Sequence, residues 1–361
     1  MLESYLNVKD FGAIGDGVND DTQALSACIN EAQRTKGICY IPTGVYRVKE
    51  TLLIGSKDSM NSFTIQGTGN SIIYTNDNID MARTNTDGKV AIKGVNFRHE
   101  GKSGYCLYFD EGFGHELHEC AFSNVTGNTS TMFIFNGSYT DAVNCTFGNS
   151  EPQSYSIKCT SIPGKININS NIFDCRIHGV GKGLLIDSSE NNRPEGLKVS
   201  RNMFLNIGEE QITIRSILHL DISNNMIDQA SKTSILIDPR MQGICGVFIS
   251  GNYISPAKDM EKGIGVLIKD NGILTLTVNI TGNMIAYSGY GVVSGKDTVH
   301  LNITGNAFND ITEDAVVIDN SRGSIVTSNT FWRCKRDVVQ SYTDEREKEA
   351  PIIENNQVGD I

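Results

Sequence analysis

From about residue 90 onward the chain repeats one order of apolar and polar positions: aliphatic, any, aliphatic, Ser/Thr, any, Asn, any, Phe/Ile. Copies stand at 165–173 (KININSNIF), 197–204 (LKVSRNMF), 220–227 (LDISNNMI), 247–254 (VFISGNYI), 278–285 (VNITGNMI), 301–308 (LNITGNAF) and 325–331 (IVTSNTF). Alternation with period two is the pattern of a strand with one buried face, so each copy predicts a strand, a turn and a second strand. The Asn slot falls at Asn171, Asn202, Asn225, Asn252, Asn283, Asn306, Asn329 and Asn356, and degenerate earlier copies put Val95, Cys120 and Cys145 there. The step averages about 26 residues, in the range of a solenoid coil.

Each period holds a further apolar segment: GLLID (183–187), QITIR (211–215), ILID (235–238), GVLIK (265–269) and AVVID (315–319). Strands this short cannot bury their apolar faces alone, whereas stacked coils bury one another. The predicted fold is all-β, a single-stranded right-handed parallel β-helix of about 11 coils, the hand following the rule for parallel crossovers. Asn tolerates the left-handed backbone region and bonds its own backbone at turns, so the slot predicts a stacked amide ladder along one edge. Cys120 and Cys145 read as two small side chains in the same stack.

The first 50 residues differ. Residues 7–18 (NVKDFGAIGDGV) lead into Asp20-Asp21-Thr22-Gln23, where Asp20 and Gln23 have capping-box spacing, and Leu25, Cys28, Ile29 and Ala32 form one apolar helix stripe. ICYIPTGVYRV (38–48) then reads as strand, turn and strand. An open solenoid end exposes unpaired backbone, so residues 19–36 are expected to cap it. The organisation predicted is 1–50 as terminal strands and capping helix, and 51–361 as one continuous domain of coils.

Composition removes several functions. The chain has 31 Lys+Arg against 42 Asp+Glu, a net charge of −11, with no long basic run, which excludes a phosphate-binding nucleic-acid surface. Its apolar runs fall far short of the roughly 20 residues that span a bilayer, so no membrane insertion is expected. No signal peptide is read at the N-terminus. Nine cysteines without a C-x-x-C pair predict free buried thiols made in a reducing compartment, and the N-x-S/T sequons read as by-products of the repeat.

The phrase NVKDFGAIGDGVNDDTQAL, followed by ICYIPTGVYRV, resembles the start of the pectate-lyase-like superfamily, and the coil repeats agree with it over the remainder. That superfamily includes pectinases, alginate epimerases and lyases, and bacteriophage tailspikes and appendages. The absence of a leader and the free cysteines favour the tailspikes, with virion (phage tail or appendage) as the expected location and secretion as the alternative. An alginate epimerase is expected to carry an Asp-Pro-His-Glu stretch, and Asp238-Pro239-Arg240 and Gly114-His115-Glu116 do not match it. The resemblance implies a depolymerase of a bacterial surface polysaccharide (capsule, O-antigen or wall polymer), assembled as a homotrimer. A polysaccharide lyase or epimerase acting on a uronate polymer, or a non-catalytic receptor-binding β-helix, is the alternative.

Candidate chemistry comes from stacking. With Ile186, Ile214, Ile237, Ile268 and Ile318 inward, the next residue faces out, giving the row Asp187, Arg215, Asp238, Lys269, Ser294, Asp319. Asp187 and Asp238 lie two coils apart, about 10 Å at the usual strand spacing, near the separation used by inverting glycosidases. Arg215 between them, with Lys269, Arg240 and Tyr253, is a candidate substrate-binding set. Ion pairing would keep both aspartates charged, so Glu209 and Glu210 compete as the acid. Asp174 and Asp228, each three residues after an Asn slot, form a second candidate pair. Outward Leu185, Leu236 and Leu267 predict an exposed apolar strip that a loop or second subunit covers. Extra residues in the coils from 171 to 202 and 252 to 283, at 188–196 and at 256–262 or 270–275, are expected to wall a groove. His99, His115, His118, His178, His219 and His300 show no zinc-ligand grouping, and Asp16, Asn19, Asp20 and Asp21 read as a turn and helix cap. No metal or other cofactor is required on this reading, and Ca2+ is not indicated.

Overall fold

The structure, a computed structural model, describes residues 4–110, 112–124, 130–148, 154–161, 163, 167–188, 192–258, 260–341 and 350–359. The chain winds as a right-handed parallel β-helix of about 12 turns. It forms two compact units, one of Met1–Thr160 with Lys165–Gly181, the other of Ser161–Gly164 with Lys182–Ile361.

Each coil carries strands of three sheets. In the second unit, sheet A contains Leu218–Ser223 and Ile244–Ser250, sheet B Met226–Ala230 and Tyr253–Ser255, and sheet C Ile212–Ile214, Thr233–Ile237 and Ile264–Ile268. In the first unit the same order appears as Glu116–His118, Ala121–Asn124 and Phe133–Phe135. Neighbouring coils pair in parallel and in register, as in Phe122 with Phe97 and Phe147. Those three rings stack at centroid distances of 5.0 and 4.8 Å, so the Phe two residues after each slot builds a continuous core column.

The slot sits at the corner from sheet A to sheet B. Asn225 Oδ1 accepts from the Asn202 N–H at 2.9 Å and from Asn202 Nδ2 at 3.0 Å, while Asn225 Nδ2 donates to the Val199 carbonyl at 2.9 Å. The same bonds recur through Asn252, Asn283, Asn306 and Asn329, ending on Asn356 Oδ1. The left-handed residue is the one before each ladder Asn, namely Arg201 (φ 58°), Asn224 (57°), Gly251 (65°), Gly282 (64°), Gly305 (66°), Ser328 (57°) and Asn355 (55°). The left-handed conformation expected at the ladder Asn thus falls one residue earlier, while the stacked amide ladder forms as predicted.

In the first unit thiols stand at this corner. Cys120, Cys145 and Cys175 are free and buried, and their Sγ atoms approach the carbonyls of Ile92, Leu117 and Ala142 at 3.7, 3.6 and 3.5 Å. Cys175, preceded by left-handed Asp174 (φ 55°), occupies the corner that the sequence pattern assigns to Asn171. Asn171 lies in sheet A opposite Asp141 and donates to its carboxylate at 2.6 Å. The coil boundary moves accordingly, and the extra residues attributed to the coil from 171 fall partly in the coil from Cys145 to Cys175.

At the N-terminus, helix α1 (Thr22–Thr35) buries Leu25, Cys28, Ile29 and Ala32 completely, as the stripe predicts. The capping box does not form. Asp20 instead accepts from Thr22 N and Oγ1, and buried Asp21 receives the N–H groups of Ile14 and Gly15 at 2.6 and 3.0 Å. Gln33, also buried, donates to Ser56 O, Ser59 O and Thr86 Oγ1, tying the helix to the loop beyond it.

Candidate functional site

Sheet C of the second unit carries the charged row. Ile186, Ile214, Ile237 and Ile268 are paired in sequence and buried, and the amides of Arg215, Asp238 and Lys269 donate to the carbonyl of the preceding coil's Ile at 2.8, 2.8 and 2.9 Å. Asp187, Arg215, Asp238 and Lys269 therefore stack one per coil. Ser294 does not belong to that row: it pairs in regular register with Ile268 and also with Ile318, and it is buried, so it takes the inward position of its coil.

Arg215 Nη1 lies 3.3 Å from Asp187 Oδ2, and its buried Nε has no acceptor. Asp238 is the most enclosed carboxylate of the row, with 8% of its side chain exposed, and Arg240, Lys269 and Asn271 approach it at 3.3, 3.4 and 3.4 Å. Three donors converge on this one carboxylate and fix its orientation, an arrangement that suits a base or nucleophile. Glu209 and Glu210 do not share this centre. They stand at the other end of the sheet C strands, where Lys182 lies 2.8 Å from Glu209 and 3.3 Å from Glu210, and Lys232 lies 2.9 Å from Glu209. Five residues of extended strand separate Lys182 from Asp187, roughly 16 Å. Burial tends to raise the Glu209 carboxyl, but bonds from the two lysines outweigh it and the net shift is downward, away from an acid's role.

A carboxyl pair escaped the sequence reading. Asp270, next to Lys269, is exposed and lies 3.4 Å from Lys296; its interaction with Asp297 of the following coil raises it against the lowering effect of Lys296, and lowers Asp297, which also accepts from the Gly272 N–H at 2.6 Å. Asp270 stands one coil and one residue from Asp238, roughly 6 Å between Cα positions by strand geometry. The only signal in the sequence is the one-coil spacing of two aspartates flanking loop residues.

Tyr253 lies elsewhere. It is on sheet B between Met226 and Met284, half-buried, with desolvation raising its hydroxyl. Asp228 is also on sheet B, whereas Asp174 is a corner residue, so the second aspartate pair is not in register. The leucine strip, expected to be covered by a loop or a second subunit, is largely covered within the single chain: Leu185 and Leu236 are buried and Leu267 is intermediate. Loops do flank sheet C. Arg193 Nη1 reaches Gly243 O at 2.8 Å, Lys258 Nζ reaches Ile207 O at 3.5 Å, and Met260 O accepts from Thr312 at 2.7 Å. Residues 189–191 and 259 of those predicted walls lie outside the described residues.

A 43-residue stretch is 58% identical to mannuronan C5-epimerase AlgE1 of Azotobacter vinelandii, covering 12% of this chain and 3% of that protein. Among solved structures, the surface adhesin PfbA of Streptococcus pneumoniae aligns with a TM-score of 0.63 at 17% identity, over 94% of this chain and 93% of that one. Tailspike protein 3 of bacteriophage CBA120 aligns with a TM-score of 0.54 at 12% identity, over 98% of this chain and 61% of that one. At these identities the structural matches establish the fold. Residues 233–361 match the right handed beta helix region. Residues 5–243, about two thirds of the chain, match the family described as Rhamnogalacturonase A/epimerase, pectate lyase-like, and the protein belongs to that family.

Proposed function

We propose that this protein binds a bacterial surface polysaccharide along sheet C of its second unit and hydrolyses a glycosidic bond there, as a tailspike-type depolymerase of the virion. The observation that carries the reading is the unlike pair Asp238 and Asp270, one carboxylate enclosed among three donors and one exposed carboxyl that its Asp297 neighbour raises against the pull of Lys296. Asp270 would protonate the leaving oxygen while Asp238 acts as base or nucleophile, the division of labour two-carboxylate glycosidases require. Arg215 and Lys269 would hold substrate hydroxyls or a carboxylate, and Asp187 would orient Arg215. Family membership and the likeness to a tailspike support a glycan as the substrate. A homotrimer belongs to this reading, and the exposed Met203, Met226 and Met284 on sheet B, rather than the leucines, are the apolar surface a partner would cover.

Incubation with a panel of capsular, O-antigen and wall polysaccharides should release new reducing ends without unsaturated-uronate absorbance. Appearance of that absorbance would replace hydrolysis by elimination. A second reading, binding without cleavage, is favoured by the ion pairing of Asp187 and Glu209 and by the likeness to an adhesin. Retention of polymer by wild-type protein with unchanged polymer length would select it.

A further inference from the structure

Sheet A of the first unit carries a cavity of about 300 Å³ between Lys36, Ile38, Thr64, Lys89, Ala91 and Lys93, with Glu116 on its wall. We propose that this cavity is a subsite for an anionic sugar residue, one that bears a carboxylate or a phosphate. Its charge is opposite to that of the chain: three lysines face one glutamate in a protein of net charge −11. That glutamate is already neutralised, since Lys89 bonds Glu116 and holds it lowered against the effect of burial. Lys36 and Lys93 are exposed, and Lys93 acts on Glu116 as the last and smallest of its charge interactions.

The backbone places these cations. Lys36 takes the left-handed position (φ 55°) that ends α1, and the following strand Ile38–Tyr40 pairs with Phe63–Thr75, which pairs with Val90–His99, so Ile38, Thr64 and Ala91 stack across three coils. Lys93 lies two residues beyond Ala91, on the same outward face. Gly37 and Ala91, without long side chains, leave the space, and Thr64 and Ser62 supply hydroxyls beside it. A small floor, neutral hydroxyls and two exposed ammonium groups suit a ring with several hydroxyls and one negative charge. The subsite does not rest on hydrolysis at sheet C.

The test is calorimetric titration at low salt with a glucuronate-containing disaccharide, glucose 6-phosphate, a neutral glucose disaccharide and inorganic phosphate. Either or both acidic sugars should bind at least tenfold more tightly than the neutral one and inorganic phosphate, with affinity falling as salt is added. Lys36→Glu and Lys93→Glu should each weaken that binding fivefold or more, and Ala91→Phe should remove it, while Asp238→Asn leaves it unchanged. Equal binding of acidic and neutral sugars overturns the proposal. So does phosphate binding as tight as the sugar acid, or indifference to all three cavity substitutions. Loss of binding in Asp238→Asn would assign the sugar to sheet C instead.

Discussion

His99 is fully buried, and its ring is held as one neutral tautomer: Nδ1 accepts the Gly101 N–H at 3.1 Å, so Nε2 carries the proton that bonds Ile79 O at 2.7 Å. Burial lowers its protonation range below the usual 6.5, against smaller raising effects from those bonds and Asp80. The unfolded chain therefore takes up the proton first, so this contribution is complete above the ordinary value and declines as pH falls through it. Glu209, lowered by its lysines, adds loss in the same direction at still lower pH. The urea midpoint should drop between about pH 7.5 and about pH 5.5, and His99→Gln should flatten that drop; a constant midpoint in the wild type would refute the assignment. At sheet C, Asp270→Asn and Asp238→Asn should each cut reducing-end release about 100-fold or more, the usual scale of acid–base assistance. Because Asp270 must be protonated, activity should decline as pH rises through its raised range. Asp187 and Asp238 were readable because alternation within a strand assigns the outward side. Asp270 was not, because a contact between loop residues depends on where each strand ends.

The ladder strand corner is the element that organises each coil. Asn252 accepts from Asn225, donates to Ile222 O and bonds Asn283, all away from water. Asn252→Ala strands several buried groups and should cost about 3 kcal/mol, at the usual penalty per unmet buried group. Asn356→Ala removes the last and partly exposed rung, and should cost about 1 kcal/mol. Comparing the two by urea unfolding checks the ladder, and equal losses would contradict it. The strand, corner, strand order was legible from Asn202 to Asn356 because every copy keeps the same spacing. It failed at Asn171, where KININSNIF imitates the phrase, since an Asn two residues before a Phe can also sit within sheet A. The corner is marked by the left-handed Asp174, which leaves no sign in the residue alphabet, and by Cys175, a thiol in line with Cys120 and Cys145 that the stronger Asn phrase masks. Ser294 was misplaced by one position, since its coil has a serine where the neighbouring coils have the inward Ile.

For the whole molecule, the β-helix and its N-terminal helix were legible because a solenoid repeats its instructions every coil and needs a different segment at its end. What covers the leucine strip was not, because side chains of neighbouring rows decide exposure and period-two alternation is blind to them. With Leu185 and Leu236 covered by their own chain, any second subunit has to answer to another surface. Sedimentation at micromolar concentration should find a species about three times the 39.4 kDa chain mass on the tailspike reading. In that case Met226→Lys should shift the protein toward monomer, while a 39.4 kDa species alone removes the trimer.

Loop length varies from coil to coil while the amide column does not. Asn283 bonds Asn306 as Asn306 bonds Asn329, so removing residues 284–306 would splice one rung directly onto the next. Such a shortened protein should still unfold in a single cooperative step, and failure to fold would show that the turns are not interchangeable. A chain built this way can gain or lose whole storeys without redrawing its plan, which lets the length of its outward face be adjusted separately from the chemistry placed on it.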